Sequence, residues 1–318
     1  MKRARFDSEL SARVIDRRRL AYDGPAAAVT QTGWVRSASA LVRFGGRVVL
    51  AQDDALWLVY LDGAGNLTPQ SLPVGKSGER LFDKSQKRHK PDFEAAAVVP
   101  APHERLLVFG SGSTPARERI AVVPRLGPAQ VVEATAFYAR LRAETAFAGS
   151  QLNIEGALVE GTKLVLFSRG NGSAKSERLP VDATVELDAA ALLAHLLDPS
   201  AHRVPELGSI EQYCLGDIDG VQLTFTDAAL RGAARYYVAA AEASIDAIED
   251  GAVLGVSFGE LTDPPRYTLI LAEGGAPLRE KIEGITPAER EDEWLAVVDV
   301  DDPAKPAELL RLRVTGAG

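Results

Sequence analysis

Asn153-Ile-Glu-Gly156, running on through Ala157-Leu-Val-Glu-Gly-Thr-Lys-Leu-Val-Leu-Phe-Ser168, is where the architecture can first be read. An acid stands between a branched apolar residue and a glycine, and two short β-rich runs follow, parted by a turn. The same order recurs. Asp92-Phe-Glu-Ala95 leads to Arg105-Leu-Leu-Val-Phe-Gly110, Asp217-Ile-Asp-Gly220 to Arg235-Tyr-Tyr-Val-Ala-Ala240, and Lys281-Ile-Glu-Gly284 to Glu293-Trp-Leu-Ala-Val-Val298. The acids stand at 94, 155, 219 and 283, with spacings of 61, 64 and 64. One period earlier, Arg36-Ser-Ala-Ser-Ala-Leu-Val-Arg-Phe-Gly-Gly-Arg-Val-Val-Leu50 aligns without gaps and sets Ser39 opposite Glu155. Five units of about 60 residues account for the chain, with inner strands starting near 39, 94, 155, 219 and 283.

Each unit reads as four strands bounded by Gly, Pro and Asn. The third offers 155–159, 163–168, 181–187 and 206–215, and the fourth 220–225, 235–240, 252–258 and 267–272. The fifth offers only 282–286, 294–299 and 307–314, so the strand at 12–22 is expected to complete it and close the ring. Four-stranded units repeated radially predict an all-β, five-bladed β-propeller, one domain over 1–318. Ala/Leu-rich stretches at 136–147 and 188–197 predict two short helical insertions. A pair of β-sandwiches would supply as many short strands, but not an acid recurring at one phase of the repeat.

Composition narrows the function classes. Hydrophobic residues at 46% and charged residues at 25% suit an ordinary soluble globular protein. A net charge of −8 argues against broad nucleic-acid binding and against a polybasic membrane contact. The single cysteine, Cys214, forms no internal disulfide and, lying in an apolar strand, reads as core. No apolar stretch follows the basic start, and none approaches a membrane span of about 18 residues, so a cytoplasmic location is expected.

In a propeller the first strand of each blade lines the central channel. Ser39, Glu94, Glu155, Asp219 and Glu283 would therefore meet at one level of the axis. Four carboxylates so placed repel one another unless some are protonated or a cation sits among them. An oxygen-only donor set suits a hard cation, and calcium tolerates irregular geometry better than magnesium. The alternative is that the acids accept hydrogen bonds from backbone N–H groups of the next blade and hold no metal. The arrangement resembles the calcium-activated nucleotidases (apyrases), and the entry strands are similar to those of phytase-like bacterial propellers. That resemblance implies a calcium ion in the channel, held by inner-strand Glu and Ser residues. It supplies no match for the substrate-binding residues.

Segments after the second strands should surround the ring: 53–54, 111–117, 169–172, 242–244 and 299–302. The basic stretch Lys84-Ser-Gln-Lys-Arg-His-Lys90 precedes an inner strand. Arg169 and Lys90, with Asn171, Arg117 and Glu242, are candidates to bind a small anionic molecule. The stretch 84–88 equally suits a solvated loop, and Arg169 equally suits pairing with a neighbouring blade's acid. Other signatures fail: the four histidines lack zinc spacing, and Val74-Gly-Lys-Ser77 lacks the first glycine of a phosphate loop. Two functions remain. One is a calcium-dependent hydrolase of a small phosphorylated substrate, with Glu94 or Glu242 as general base. The other is a binding propeller, for a ligand or a protein, whose central ion is structural.

Overall fold

The computed structural model describes residues 1–317 except 76, 77, 87, 101, 103, 176, 244–250 and 301. Its strands form four hydrogen-bonded sheets. One is the meander Ala38–Phe44, Arg47–Gln52, Trp57–Leu61 and Leu67–Ser71. A second runs Phe93–Val99, Arg105–Gly110, Arg119–Pro124 and Gln130–Glu133. A third runs Ile154–Glu160, Lys163–Ser168, Asp182–Asp188 and Leu207–Cys214, with Lys2–Arg3 added in parallel at its edge. The fourth sheet joins two antiparallel meanders. Val221–Arg231, Ala234–Ala243, Ala252–Glu260 and Arg266–Leu271 make one. Ile282–Pro287, Glu293–Val298, Glu308–Thr315 and the N-terminal Ser11–Arg19 make the other. The ladder joining the two runs where Ile270 and Leu271 pair in parallel with Ala12 and Arg13.

The first strands pack in a closed circuit. Ala38–Phe44 lies against Phe93–Val99, which lies against Ile154–Glu160, then Val221–Arg231, then Ile282–Pro287, which returns to Ala38–Phe44. All five line one cavity of about 230 Å³ through Val42, Val98, Leu158, Leu230 and Pro287. The core divides the same way, into five apolar packets each lying between two neighbouring units. Runs such as Leu106-Leu-Val-Phe109 are apolar at successive positions because both faces of these sheets are covered. The protein is all-β and propeller-like.

The helical stretch at 136–147 is two helices, Thr135–Ala143 and Thr145–Ala148, burying Phe137, Tyr138, Leu141 and Phe147 between the second and third units. Ala189–Leu197 forms as expected, capped by Asp188, whose carboxylate accepts the Ala191 N–H at 2.7 Å. A third helix, Pro25–Thr30, is too short to leave a periodic signal. Cys214 is half-buried, opposite Arg3 of the added N-terminal strand, rather than in the core. No helix among the described residues is long and apolar enough to cross a membrane.

Backbone demands explain the recurring acid–glycine pair. Each first strand carries a bulge, between Ala38 and Ala40, Phe93 and Ala95, Ile154 and Gly156, Phe225 and Asp227, and Ile282 and Gly284. The extra residue is Ser39, Glu94, Glu155, Thr226 or Glu283. A small residue follows in four of the five because the strands touch there: a Cβ on Gly284 would stand 2.7 Å from the Leu41 nitrogen. Asp219 is the exception. Ile218 pairs with Val221, so Asp219-Gly220 is a two-residue hairpin turn, with φ of 52° and 81°. Asp-Gly favours that left-handed geometry. The unit-four inner strand begins after it, and the residue equivalent to Glu155 is Thr226.

Side chains also pin one unit to the next. The Ser39 hydroxyl donates to the Phe93 carbonyl. Asp182 accepts the N–H groups of Phe225 at 2.8 Å and Gly170 at 3.2 Å, and Asp227 accepts that of Ile285 at 2.7 Å. Burial pushes the Asp182 carboxyl up to about 7, against the lowering effect of those two N–H donors. Because the folded value lies above the unfolded one, the stability linked to this group is greatest below pH 4 and is lost as pH rises through 7. Asp182→Asn should flatten the stability–pH curve over that window. Asp182→Ala, which strands both N–H groups, should cost about 2 kcal/mol. Urea denaturation of the three proteins across the window checks both expectations.

Candidate functional site

The bulges give Ser39, Glu94, Glu155, Thr226 and Glu283 equivalent positions on the five first strands, and bulges commonly re-aim side chains. Two residues earlier on each strand or its approach stand Ser37, Asp92, Asn153, Thr224 and Lys281. Residues after the second strands join them. The N–H groups of Asp53, Ser111 and Arg169 bond the carbonyls of Ser37, Asp92 and Asn153, one repeated contact in three units.

The bases at this mouth are all engaged. Arg169 is 3% exposed. Its guanidinium meets Glu242 at 2.7 Å, Glu155 at 3.5 Å and the Thr224 hydroxyl at 3.0 Å. Lys281 pairs with Glu283 at 2.9 Å and reaches Glu242 at 3.9 Å. Lys90 bridges Asp53 and Asp92, the latter at 2.8 Å. Arg117 meets the other oxygen of Asp92 at 2.8 Å and the Ser113 hydroxyl at 2.8 Å. Burial alone would discharge Lys90, but Asp53, Asp92 and Glu94 hold it protonated. Glu155, Glu242 and Glu283 do the same for the buried Arg169.

The acids divide into two kinds. Burial disfavours the charged form of Asp92 and Glu242, yet Lys90 and Arg117 lower the first, and Lys281 and Arg169 lower the second. Glu94 and Glu283 are held above the ordinary range, Glu283 at about 8, by desolvation and by neighbouring carboxylates. Were all six carboxylates (Asp53, Asp92, Glu94, Glu155, Glu242, Glu283) ionised, they would exceed the four cations (Lys90, Arg117, Arg169, Lys281) by two charges, and Glu94 and Glu283 are the two held toward their protonated forms. Three oxygen groups at the bulge level also lack a partner. The Glu94 carboxylate makes no hydrogen bond or ion pair among the described residues. Glu283 Oε2 and Thr226 Oγ1 are buried and unpaired. The residues carrying the last two are 8% and 1% exposed.

Of the sequence-derived metal set, Ser39, Glu94, Glu155 and Glu283 come together and Asp219 does not. Thr226 takes its place. Asn171 reaches the mouth only through Asn153, at 3.2 Å. Of the basic stretch, Arg88 and His89 are exposed and bond each other at 3.0 Å, and Lys90 reaches Asp53 and Asp92. Lys87, Ser244 and Asp301 of the expected rim lie outside the described residues. Lys281 and Asp92 were legible only as neighbours of the repeated acid, and their pairing was not.

A family model described as "Family of unknown function (DUF6929)" matches residues 34–314. No curated protein matches. Among solved structures, the GH43 β-1,3-galactosidase with galactodeoxynojirimycin is similar over 92% of this chain and 93% of its own, at 9% identity and a TM-score of 0.48. An exo-1,5-α-L-arabinanase from a bovine ruminal metagenomic library covers 88% and 92%, at 9% and 0.43. A virginiamycin B lyase from Staphylococcus aureus covers 94% and 99%, at 10% and 0.41. None of these likenesses bears on the chemistry of the mouth.

Arg169 is the keystone of the mouth's charge balance. Arg169→Met would leave Glu155 and Glu242 buried without it, an expected loss of about 3 kcal/mol near neutral pH. The loss should shrink in acid, where the Glu242 carboxylate takes a proton. Chemical denaturation at two pH values measures the difference.

Proposed function

We propose that this chain, which belongs to the family of unknown function DUF6929, is a five-bladed propeller that binds a cation, calcium before others, on the channel axis at its charged mouth. The observation carrying the reading is the pair of buried, unpaired oxygens at the bulge level, Thr226 Oγ1 and Glu283 Oε2, together with the Glu94 carboxylate, which makes no hydrogen bond or ion pair among the described residues. They come from three strands, and two of them are the carboxylates in excess of the bases. A divalent ion offsets that excess, which otherwise requires protons on Glu94 and Glu283. Oxygen-only donors in irregular array suit calcium, with solvent completing its shell.

Other carboxylate groupings fit less well. Oxygens of Asp53, Asp92 and Glu94 lie within 4.8 Å of one another, but the Lys90 ammonium already bridges Asp53 and Asp92. Ser39 donates to a carbonyl, and Glu155 is held by Asn153 at 2.8 Å and by Arg169. The likeness to calcium-activated nucleotidases extends, in this reading, to an ion on the axis. Hydrolysis of a phosphorylated substrate would need a free base for the phosphate, and Lys90, Arg117, Arg169 and Lys281 are all committed to acids. The binding propeller is therefore favoured over the phosphohydrolase. A small anionic ligand would reach the axis through the cation.

Calcium should raise the melting temperature of the wild type, by about 2.7 kcal/mol of added stability at a hundredfold excess over its dissociation constant. The ion displaces protons from Glu94 and Glu283, so the effect should be larger above pH 8 than below it. Glu283→Gln should abolish the rise while leaving the protein folded in EDTA. No calcium-dependent shift in the wild type above pH 8 would sink the proposal. Calcium-dependent turnover of a phosphomonoester would instead restore the hydrolase.

A further inference from the structure

We infer that a groove on the face opposite the mouth, between the second and third units, binds the anion of a medium-chain fatty acid, with the tail along the Ala189–Leu197 helix and the carboxylate on Arg105. The groove has a volume of about 620 Å³, within the range of small-molecule sites. Its place follows from strand direction. Phe93 pairs with Gly110 at the mouth, and the same hairpin turns back at the far end, where Val99 pairs with Arg105. The hairpin of the third unit turns at that end too, where Glu160 pairs with Lys163. Val99, Pro100 and Arg105 line the groove from the second unit and Thr162 from the third, and no residue of the mouth lines it.

The helix makes the groove apolar. A surface helix ordinarily turns an apolar stripe to the core and a polar one to water. Ala189-Ala-Ala-Leu-Leu-Ala-His-Leu-Leu197 has no charged residue and one polar one, His195, whose Nδ1 bonds the His202 carbonyl at 2.8 Å. Leu192, Leu193 and Leu196 are buried in the core. Ala190, Ala194 and Leu197, spaced i, i+4 and i+7, form a second apolar stripe that lines the groove, and Leu197 is 49% exposed. Covering that stripe takes an apolar occupant. Charge fixes its other end. Arg105, half-buried, donates to the Glu104 carbonyl at 2.9 Å and makes no ion pair among the described residues. Asp198, the carboxylate of the lining, accepts the Ser200 hydroxyl at 2.6 Å and the N–H groups of Ser200 and Ala201 at 3.1 Å, so its own loop holds its charge. An occupant that meets both features has an apolar chain and one anionic end.

Calorimetric titration of the intact protein with hexanoate, octanoate and decanoate provides the test, with octan-1-ol as the neutral control. Decanoate should saturate one site and bind at least tenfold more tightly than hexanoate, because each buried methylene multiplies affinity about fourfold. Octan-1-ol should bind at least fivefold more weakly than octanoate. Arg105→Gln should remove that difference by weakening octanoate alone. Ala194→Phe fills the groove from the outer stripe of the helix and should abolish decanoate binding, with a thermal melt like that of the wild type showing that the fold is kept. Octanoate affinity should be the same in EDTA and in calcium. Four results would overturn the inference. They are no saturation by decanoate; octan-1-ol binding as tightly as octanoate; equal decanoate affinity in Ala194→Phe and wild type; and binding seen only with calcium, which would put the carboxylate at the mouth.

Discussion

Five first strands close around one axis, and each is bulged at the point where it meets its neighbours. That closure gives one polar side chain per strand an equivalent position on the ring. The backbones approach so closely that Gly284 has no room for a Cβ beside Leu41, and Gly156 stands against Ala228 and Phe167. Everything else at the mouth is a response to this crowding. Three glutamates on the axis would be untenable alone, and the chain answers with bases supplied from the strand approaches and from the ends of the second strands.

The bases fall two short of the carboxylates, and the shortfall is localised. Glu155 is held by Asn153 and Arg169, whereas Glu94 and one oxygen of Glu283 are left without partners. Desolvation and like charge therefore act on those two, and they are the ones held above the ordinary carboxylate range. Unit-to-unit contacts follow a different rule. Asp182 and Asp227 accept backbone N–H groups of the next unit, so acid-to-backbone pinning occurs at two of the unit boundaries and on acids other than the recurring ones. Pinning one unit to the next and pairing with the buried bases fall to separate carboxylates.

The repeat was legible because stacked sheets, covered on both faces, need apolar strands at regular intervals. The strands at 163–168 and 252–258, the N-terminal closing strand and the Ala189–Leu197 helix lie within a few residues of where pattern placed them. In unit four Asp219 was set at the phase that Thr226 occupies because Asp-Gly carries two meanings. Beside a bulge, the glycine relieves a close approach. In Asp219-Gly220 it supplies a left-handed φ for a hairpin. Only strand pairing tells these apart, and Thr226, with no acid to mark it, left no trace in a search for recurring acids.

Length, composition and the recurring acid–small-residue pair were enough by themselves to determine an all-β repeat closed by its own N-terminus, and to set Ser39, Glu94, Glu155 and Glu283 at equivalent positions of their first strands. Periodicity is a local property, set by which faces must be buried. Which carboxylate meets which base is not local. Lys90 and Asp53, Arg169 and Glu242, and Arg36 and Asp54 are brought together from different strands or loops by closure of the ring. The tertiary structure alone decided which oxygens are satisfied and which two carboxylates are held toward their protonated forms, because a charge's environment depends on every element packed around it.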